Sequence, residues 1–481
     1  DAVRQYRRDR NPKGEPFLAF GRCLAHFAVD WNQVQVTTKL EGLATYFIPF
    51  NRGWNGGAGN PPPLAIGGPK YATEYLWTQT WSKRSVLDLV QHFLHHEPTK
   101  SRRRSARVLG KLIFPRYHQL DAVRRLLGQA QREGPGHNYL VQHSAGSGKS
   151  NTIAWLAHRL SQLMDNEDER IFNAIIVITD RKVLDKQLQK TVRTYERTRG
   201  LVATIDGTST QLREALESGK QIIVTTLHKF PVIVNSIGDL AGQRFALLID
   251  EAHSSQGGSM HQKMTKVLTA DGEEGVERDY EDLIYDELAA RGAQTNLSVF
   301  AFTATPKSKT LELFGRQRAE DGKFEAHSLY SMRQAIEEGF ILDVLQNYTT
   351  YSTYWKLNKD QPEDPEVDSK KAKAILRRFV IEHPETIRQK VDVIMDHFVN
   401  HSIGRIGGRA KAMVVTSSRM NAVKFRLAID AWLREHGHDF GALVAFTETI
   451  SIEGKDYTES NMNGFPDSQT AAKFDEDDNR I

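Results

Sequence analysis

The chain has 481 residues, of which 39% are hydrophobic and 26% are charged, a composition that is ordinary for a globular protein. The net charge of +4 excludes a polycation, the single cysteine excludes disulfides and cysteine-based zinc sites within one chain, and no apolar run approaches the ~20 residues of a membrane span. The length predicts roughly three domains. Because the chain begins at Asp1 without Met or a signal peptide, we expect a piece of a longer cytoplasmic protein.

Residues 1–100 are predicted to form a first unit. A helix with basic faces comes first, and strands follow at 34–38 and 45–50, where the sequence alternates or is rich in aromatic residues. A loop rich in Gly, Asn and Pro covers 51–69, and its three consecutive prolines cannot join a central strand. An amphipathic helix over 85–95 closes the unit.

A phosphate-binding loop is predicted after a strand that begins at Asn138. Glycines let backbone N–H groups approach phosphate oxygens, and the helix that follows adds the partial positive charge of its N-terminus. Lys149 is expected to reach the β- and γ-phosphates and Ser150 to ligate Mg²⁺. The generic pattern has glycine where this chain has His143, so a chance loop of Gly and Ser is the competing interpretation. The predicted nucleotide-binding residues of the loop are Ser144, Ala145, Gly146, Ser147, Gly148, Lys149 and Ser150.

Further apolar runs at 174–179, 221–226, 245–249 and 298–302 predict parallel strands that are buried on both faces. Each run ends in polar residues, and ligands bind at the carboxyl edge of an open α/β sheet. The run at 245–249 leads into Asp250-Glu251-Ala252-His253. Asp250 is predicted to hold the Mg²⁺ shell and Glu251 to orient or deprotonate the attacking water. An acidic cap before a helix is the alternative.

Other predicted nucleotide contacts lie on either side of these motifs. Gln119 lies about thirty residues before Lys149, and its amide can donate and accept at once, which matches the N6 and N7 atoms of adenine. Thr303 and Thr305 follow the last strand and are expected to couple the nucleotide state to a second lobe through hydroxyl hydrogen bonds. His253 is included among the predicted nucleotide-binding residues.

The remaining segments are predicted to be connectors and part of a second lobe. Arginines cluster near the N-terminus and at 101–110, where phosphate contact and a solvated surface are both open interpretations. An acidic, glycine-rich insertion covers 257–295. A helix near 386–400 and strands at 411–416 and 443–446 predict the start of another α/β lobe, which stops at Ile481 where a further strand is expected.

The order of these motifs resembles that of superfamily-two nucleic-acid translocases of the DEAH-box type. A narrower resemblance, to the restriction (R, motor) subunit of Type I restriction–modification enzymes, extends over nearly the whole chain. It implies an α/β fold in which RecA-like parallel-sheet motor lobes follow the C-terminal part of a PD-(D/E)xK-type nuclease domain. The stretches that carry it are His26–Asp30, Thr37–Leu40, Pro49–Gly53, His143–Ser150, Tyr330–Leu342 and Met462–Phe465.

The resemblance implies four segments and an activity. Residues 1–100 would be the remnant of the nuclease domain, 101–330 the first RecA-like domain, 331–385 a linker and 386–481 the N-terminal part of the second RecA-like domain. The implied protein is an ATP- and Mg²⁺-dependent translocase of double-stranded DNA that cuts unmodified DNA away from the recognition site. Its implied partners are the methyltransferase and specificity subunits, in the cytoplasm of a bacterium or archaeon.

Two departures limit what is expected of the chain itself. Residues 1–110 contain no Asp/Glu-x-Lys, so the nuclease motif is expected upstream of Asp1 and the chain is not expected to cut DNA. The arginines of the second lobe are expected beyond Ile481, and without an arginine finger hydrolysis is expected to fall by ~10³ or more. The alternatives are another superfamily-two helicase or remodeller, and an inactive docking module for the other subunits and DNA.

Overall fold

A computed structural model shows that the chain forms two compact units, Asp1–Tyr348 and Thr349–Ile481. The structure describes residues 1–63, 70–97, 110–179, 182–196, 200–205, 211, 214–215, 218–226, 242–250, 295–343, 384–452, 454–476 and 479–481. Apart from its last residue, the predicted insertion at 257–295 lies outside these ranges, as do Glu251 and His253. Within them, no helix is both long and apolar enough to cross a lipid bilayer.

The N-terminal part of the first unit contains a small antiparallel sheet. The register runs from His26 opposite Thr37 to Val29 opposite Val34. The predicted strand at 45–50 is reduced to two residues, because only Ile48 and Pro49 pair with the neighbouring strand. The elements of this part are α1 (Ala2–Arg8), β1 (His26–Val29), β2 (Val34–Thr37), β3 (Ile48–Pro49), α2 (Lys83–Asp88), β4 (His95–Glu97) and β5 (Lys111–Ile113).

The helix predicted over 85–95 lies two residues earlier, over 83–93, and is less regular than expected. Helix α2 continues into a π-helical turn, Leu89–Phe93, and the chain then turns into β4, which pairs with β5. The indole N–H of Trp155 donates to the Phe93 carbonyl at 3.0 Å. A tertiary contact therefore satisfies a carbonyl at the point where the helix ends.

A seven-stranded parallel sheet forms the centre of the first unit, in the order β14-β6-β11-β10-β7-β9-β8. All its pairings are parallel, which confirms the predicted α/β class. The five strands predicted from apolar runs are all present, and two more were not predicted. The strands are β6 (Asn138–His143), β7 (Ala174–Thr179), β8 (Val202–Thr204), β9 (Ile222–Thr226), β10 (Phe245–Asp250), β11 (Leu297–Thr303) and β14 (Ser328–Tyr330).

Helices cover both faces of the sheet. Side chains of α3 (Tyr117–Glu133), α4 (Lys149–Leu160) and α5 (Lys182–Thr194) pack on one face, and those of α6 (Ser308–Phe314) pack on the other. Successive residues of the central strands β7, β10 and β11 therefore alternate between two hydrophobic clusters, and all of them except Asp250 are buried. This explains why the strands are continuous apolar runs without polar alternation. A β-hairpin of β12 (Arg316–Gln317) and β13 (Phe324–Glu325) follows α6. Helix α7 (Met332–Glu337) follows β14.

The second unit is built around two packed helices, which begin at Pro384 and Arg419 and share a core that includes Met395 and Trp432. The prediction of strands at 411–416 and 443–446 is wrong, because neither segment forms a strand. Their backbone bonds instead to the chain end, since Arg480 O accepts from Ala412 N and Ile481 O from Leu443 N. The elements are α8 (Pro384–His397), α9 (Arg405–Gly408), α10 (Arg419–His436), β15 (Ile450–Ile452), β16 (Lys455–Tyr457), α11 (Glu459–Asn463) and α12 (Thr470–Asp475).

Candidate nucleotide-binding site

Three adjacent strands carry predicted site residues to one edge of the sheet. Strand β6 leads into the phosphate loop, and β11 lies between β6 and β10. In the register, Thr303 lies opposite Gln142 and Asp250 opposite Phe302. Because the strands are parallel, the phosphate loop, Thr303 and Asp250 all lie at their carboxyl ends. This is the edge at which open α/β sheets bind ligands.

Two glycines allow the loop its shape. Gly146 has φ +71° and Gly148 has φ +77°, in the left-handed region that favours glycine. A Cβ on Gly146 would lie 3.2 Å from Ile341 Cγ2, and a Cβ on Gly148 would lie 2.6 Å from Gln119 Nε2. Conformation and close packing therefore both require glycine here.

The start of helix α3 holds three consecutive carbonyl groups of the loop. Arg116 Nη2 donates to Gly146 O at 2.6 Å. Gln119 Nε2 donates to Ser147 O at 3.2 Å and to Gly148 O at 3.0 Å, and His118 Nε2 lies 3.0 Å from Ser147 O. In a trans peptide the N–H points away from the preceding carbonyl, so the N–H groups of Gly148 and Lys149 point away from α3. Those groups begin helix α4 and form a ready anion-binding concavity.

The side chain of His143, where phosphate loops usually carry glycine, is packed beneath the loop. It is fully buried, and its Nε2 lies 2.9 Å from Ser328 Oγ of β14. Its ring contacts that of His118, which stacks on Tyr330 at a centroid distance of 3.8 Å. The departure from the generic motif is therefore accommodated by a strand that the sequence did not predict.

Burial of His143 predicts a pH dependence of stability. Desolvation, then the charges of Lys149 and Arg116, lower the pKa of His143 to about 3 from its usual 6.5. Below pH 6.5 the imidazole of His143 binds a proton in the unfolded chain but stays neutral in the folded chain. The free energy of unfolding is therefore expected to fall by about 1.4 kcal/mol per pH unit from this group as the pH drops towards 3.

Urea unfolding between pH 7.5 and 4.5 measures this effect. His143→Gln is expected to make the loss of stability on acidification shallower by about that slope. His137→Gln, at an exposed histidine, is the matched control and should leave the wild-type slope in place. Equal slopes for wild type and His143→Gln would contradict the burial of a neutral His143.

Gln119 is in contact with the loop, but its amide is engaged by the backbone. Besides the two carbonyls, its Oε1 accepts from Arg116 N at 2.9 Å, and the side chain is 3% exposed. Both N–H groups of the amide are thus used, so bonding to adenine N7 would require one of them to leave a loop carbonyl. The reading of adenine by Gln119 remains a prediction.

Lys149, Ser150, Asp250 and the two threonines, which the structure describes, occupy positions that suit a nucleotide with Mg²⁺. Lys149 and Ser150 are the first two residues of α4, and Lys149 Nζ lies 3.4 Å from His143 O. Asp250 ends β10, and Thr305 N donates to Thr303 Oγ1 at 3.3 Å. The glycine cradle, the ammonium group and the carboxylate fit triphosphate and a hard cation. Lys149 would hold phosphate oxygens, and Ser150 and Asp250 would hold the metal.

Comparison with known proteins gives an independent view of the same segment. A family model described as SWI2/SNF2 ATPase matches residues 118–272, which include the phosphate loop and residues 250–253. The endonuclease subunit of a Type I restriction enzyme from Staphylococcus aureus (strain COL) is 26% identical over 247 residues, covering 49% of this chain and 22% of that subunit. A protein from Methanocaldococcus jannaschii, assigned as such a subunit, is 22% identical over 400 residues, covering 75% of this chain and 35% of the relative.

The chain is a homologue of Type I restriction endonuclease subunits. It spans about a third or less of the length of these two relatives. Among solved structures, a fragment from Vibrio vulnificus YJ016 that is assigned as the HsdR subunit of a Type I restriction enzyme has a TM-score of 0.37 and 14% identity, covering 87% of this chain and 59% of that fragment.

In this homologue of restriction subunits, several residues around the loop were not singled out from the sequence. Arg116 and His118 bond to loop carbonyls, and Phe340 and Ile341 cover Gly146. The short spacing of Arg116 and His118 from Gln119 is a signal that could have found those two residues. The contacts of Phe340 and Ile341 arise from tertiary packing, because almost 200 residues separate them from the loop.

Proposed function

We propose that the chain is the ATP-binding motor part of a Type I restriction endonuclease subunit, and that this motor moves double-stranded DNA in the complete protein. The observation that carries the proposal is the meeting of the phosphate loop, Thr303 and Asp250 at one edge of a parallel sheet. The SWI2/SNF2 ATPase match over residues 118–272, which include the phosphate loop and Asp250, supports it. Hydrolysis of a nucleotide bound at the edge of such a sheet is the general means by which motor proteins drive translocation along DNA.

The residues of the site have distinct proposed roles. Lys149 neutralises the β- and γ-phosphates, and Ser150 and Asp250 hold Mg²⁺. Glu251 orients the attacking water, and His253, Thr303 and Thr305 relay the state of the nucleotide. Gln119 contacts adenine after giving up a loop carbonyl. Glu251 and His253 lie outside the described residues, so their roles rest on the sequence motif.

The complete protein is proposed to act in a complex. Its partners are the methyltransferase and specificity subunits, and its nuclease domain, of which residues 1–100 are proposed to be the end, cuts unmodified DNA away from the recognition site. Residues 386–481 are proposed to begin the second RecA-like domain. The restriction-subunit relatives support this role.

A translocation assay distinguishes this motor from a helicase. A chain extended through the second lobe is expected to displace a third strand from a linear duplex when ATP is present, and to leave a plain duplex unseparated. Strand separation would favour a helicase. If the extended chain does neither but co-purifies with the methyltransferase subunit, the docking alternative is favoured.

A further inference from the structure

We infer that Arg116 is a positioning residue of the nucleotide site, which fixes the phosphate loop and supplies positive charge beneath it for a triphosphate ligand. The inference rests on the proposed ATP site. It assigns to this arginine a task that is separate from the reading of adenine and from the direct phosphate contact of Lys149.

The first observation is the burial of an arginine without an ion-pair partner. Arg116 is 8% exposed, and among the described residues no carboxylate forms a salt bridge with it and its Nη1 has no hydrogen-bond partner. Glu338 lies close enough to interact electrostatically, but its two oxygens accept from Tyr330 and Gln334. A buried charge whose neighbouring carboxylate is not bonded to it is only partly compensated, so a further anion nearby would stabilise it. The four negative charges of ATP provide such compensation.

The second observation is the direction of the guanidinium group. Nη2 donates to the carbonyl of Gly146, the loop glycine with φ +71°, at 2.6 Å. This bond holds one peptide plane of the loop, next to the planes that Gln119 holds. Losing it would leave the Gly146 peptide plane held only by the packing of Phe340 and Ile341, and is expected to loosen the anion-binding N–H groups that follow it.

The third observation is the way in which Arg116 itself is held. Its guanidinium carbon lies 4.0 Å from the centre of the Phe340 ring and 5.6 Å from that of Tyr330. Phe340 follows helix α7, which is anchored on the N-terminal part of the unit, because Glu337 Oε2 accepts from Ala58 N at 2.7 Å. The planar guanidinium is thus clamped against aromatic rings, a geometry that a lysine ammonium does not reproduce.

Calorimetric titration with ATP, inorganic triphosphate and adenosine tests the inference. Arg116→Met is expected to raise the Kd for ATP and for triphosphate by about ten- to a hundred-fold, the usual effect of losing a charge-assisted hydrogen bond, and to leave adenosine binding unchanged. Arg116→Lys should recover part of the loss, because it restores the charge but not the stacked, bonded plane. Phe340→Leu should weaken triphosphate binding by a few-fold.

Arg125→Met is the matched control, since Arg125 lies on the same helix in an exposed pair with Asp121. It is expected to bind all three ligands as the wild type does. The binding of ATP by the wild-type chain tests the proposed function. The ratio of the Kd of Arg116→Met to that of the wild type tests the role of Arg116. The inference is overturned if Arg116→Met binds triphosphate as the wild type does, or if Arg116→Lys and Arg116→Met are equally weak and both melt at lower temperature. An equal loss for adenosine would assign Arg116 to the base and also overturn it.

Discussion

Lys149→Ala is expected to abolish measurable ATP binding, with a Kd raised by about a hundred-fold or more. The side chain belongs to the first residue of α4, and its ammonium group lies at the loop, 3.4 Å from His143 O. Removing it takes away the charge that is proposed to face the β- and γ-phosphates and leaves the backbone cradle in place. Titration with a fluorescent ATP analogue measures the change directly.

Lys323→Ala is the control for this experiment. Lys323 is an exposed lysine beside the β12–β13 hairpin, where its ammonium group lies 3.7 Å from Asp321. The control variant should bind nucleotide with wild-type affinity and unfold at the wild-type temperature. Unchanged affinity in Lys149→Ala would contradict the assignment of the phosphate loop.

The central sheet could be predicted from the sequence because its strands are buried on both faces. Runs such as 174–179 and 245–249 contain no polar alternation, and the structure places them at the centre of the sheet with every residue buried. The short strand β14 has no such signal, since Leu329 faces solvent between two buried residues. Its position depends on tertiary contacts instead. It pairs with β6, and the preceding residue His327 accepts from Leu140 N of β6 through its Nδ1.

The loop residues of the candidate site could also be predicted, but their support could not. The phosphate loop is a local pattern of Gly, Lys and Ser. The clamp on Arg116 depends on Phe340, 224 residues further along the chain. The burial of His143 depends on Ser328, 185 residues further along. In the second unit, local apolar runs predicted strands at 411–416 and 443–446. The backbone of these segments bonds instead to residues 480 and 481 and to the side chains of Asn463 and Glu459.

Asp250→Asn is expected to remove the Mg²⁺ dependence of ATP binding and to reduce hydrolysis by ~10³ in a chain extended through the second lobe. The substitution keeps the size of the side chain at the end of β10 and removes the charge that would hold the metal. Binding of ATP without Mg²⁺ should change little, because the phosphate loop is intact. Titration at zero and millimolar Mg²⁺, followed by steady-state hydrolysis, separates the two effects.

Asp321→Asn provides the matched control, since Asp321 is a carboxylate of the hairpin loop that pairs with Arg318 far along the chain from β10. It is expected to retain both Mg²⁺-dependent binding and turnover. Wild-type hydrolysis in Asp250→Asn would show that the metal is held elsewhere.

ATP hydrolysis with and without linear duplex DNA, by this chain and by the same chain extended through the second lobe, tests the motor most directly. The expected result is weak or absent turnover for this chain and turnover that duplex DNA stimulates for the extended chain, because the second lobe is proposed to complete the site. Absence of hydrolysis in both chains, with DNA present and with both bound to the methyltransferase subunit, would contradict the motor and leave the phosphate loop with a nucleotide-sensing or structural role.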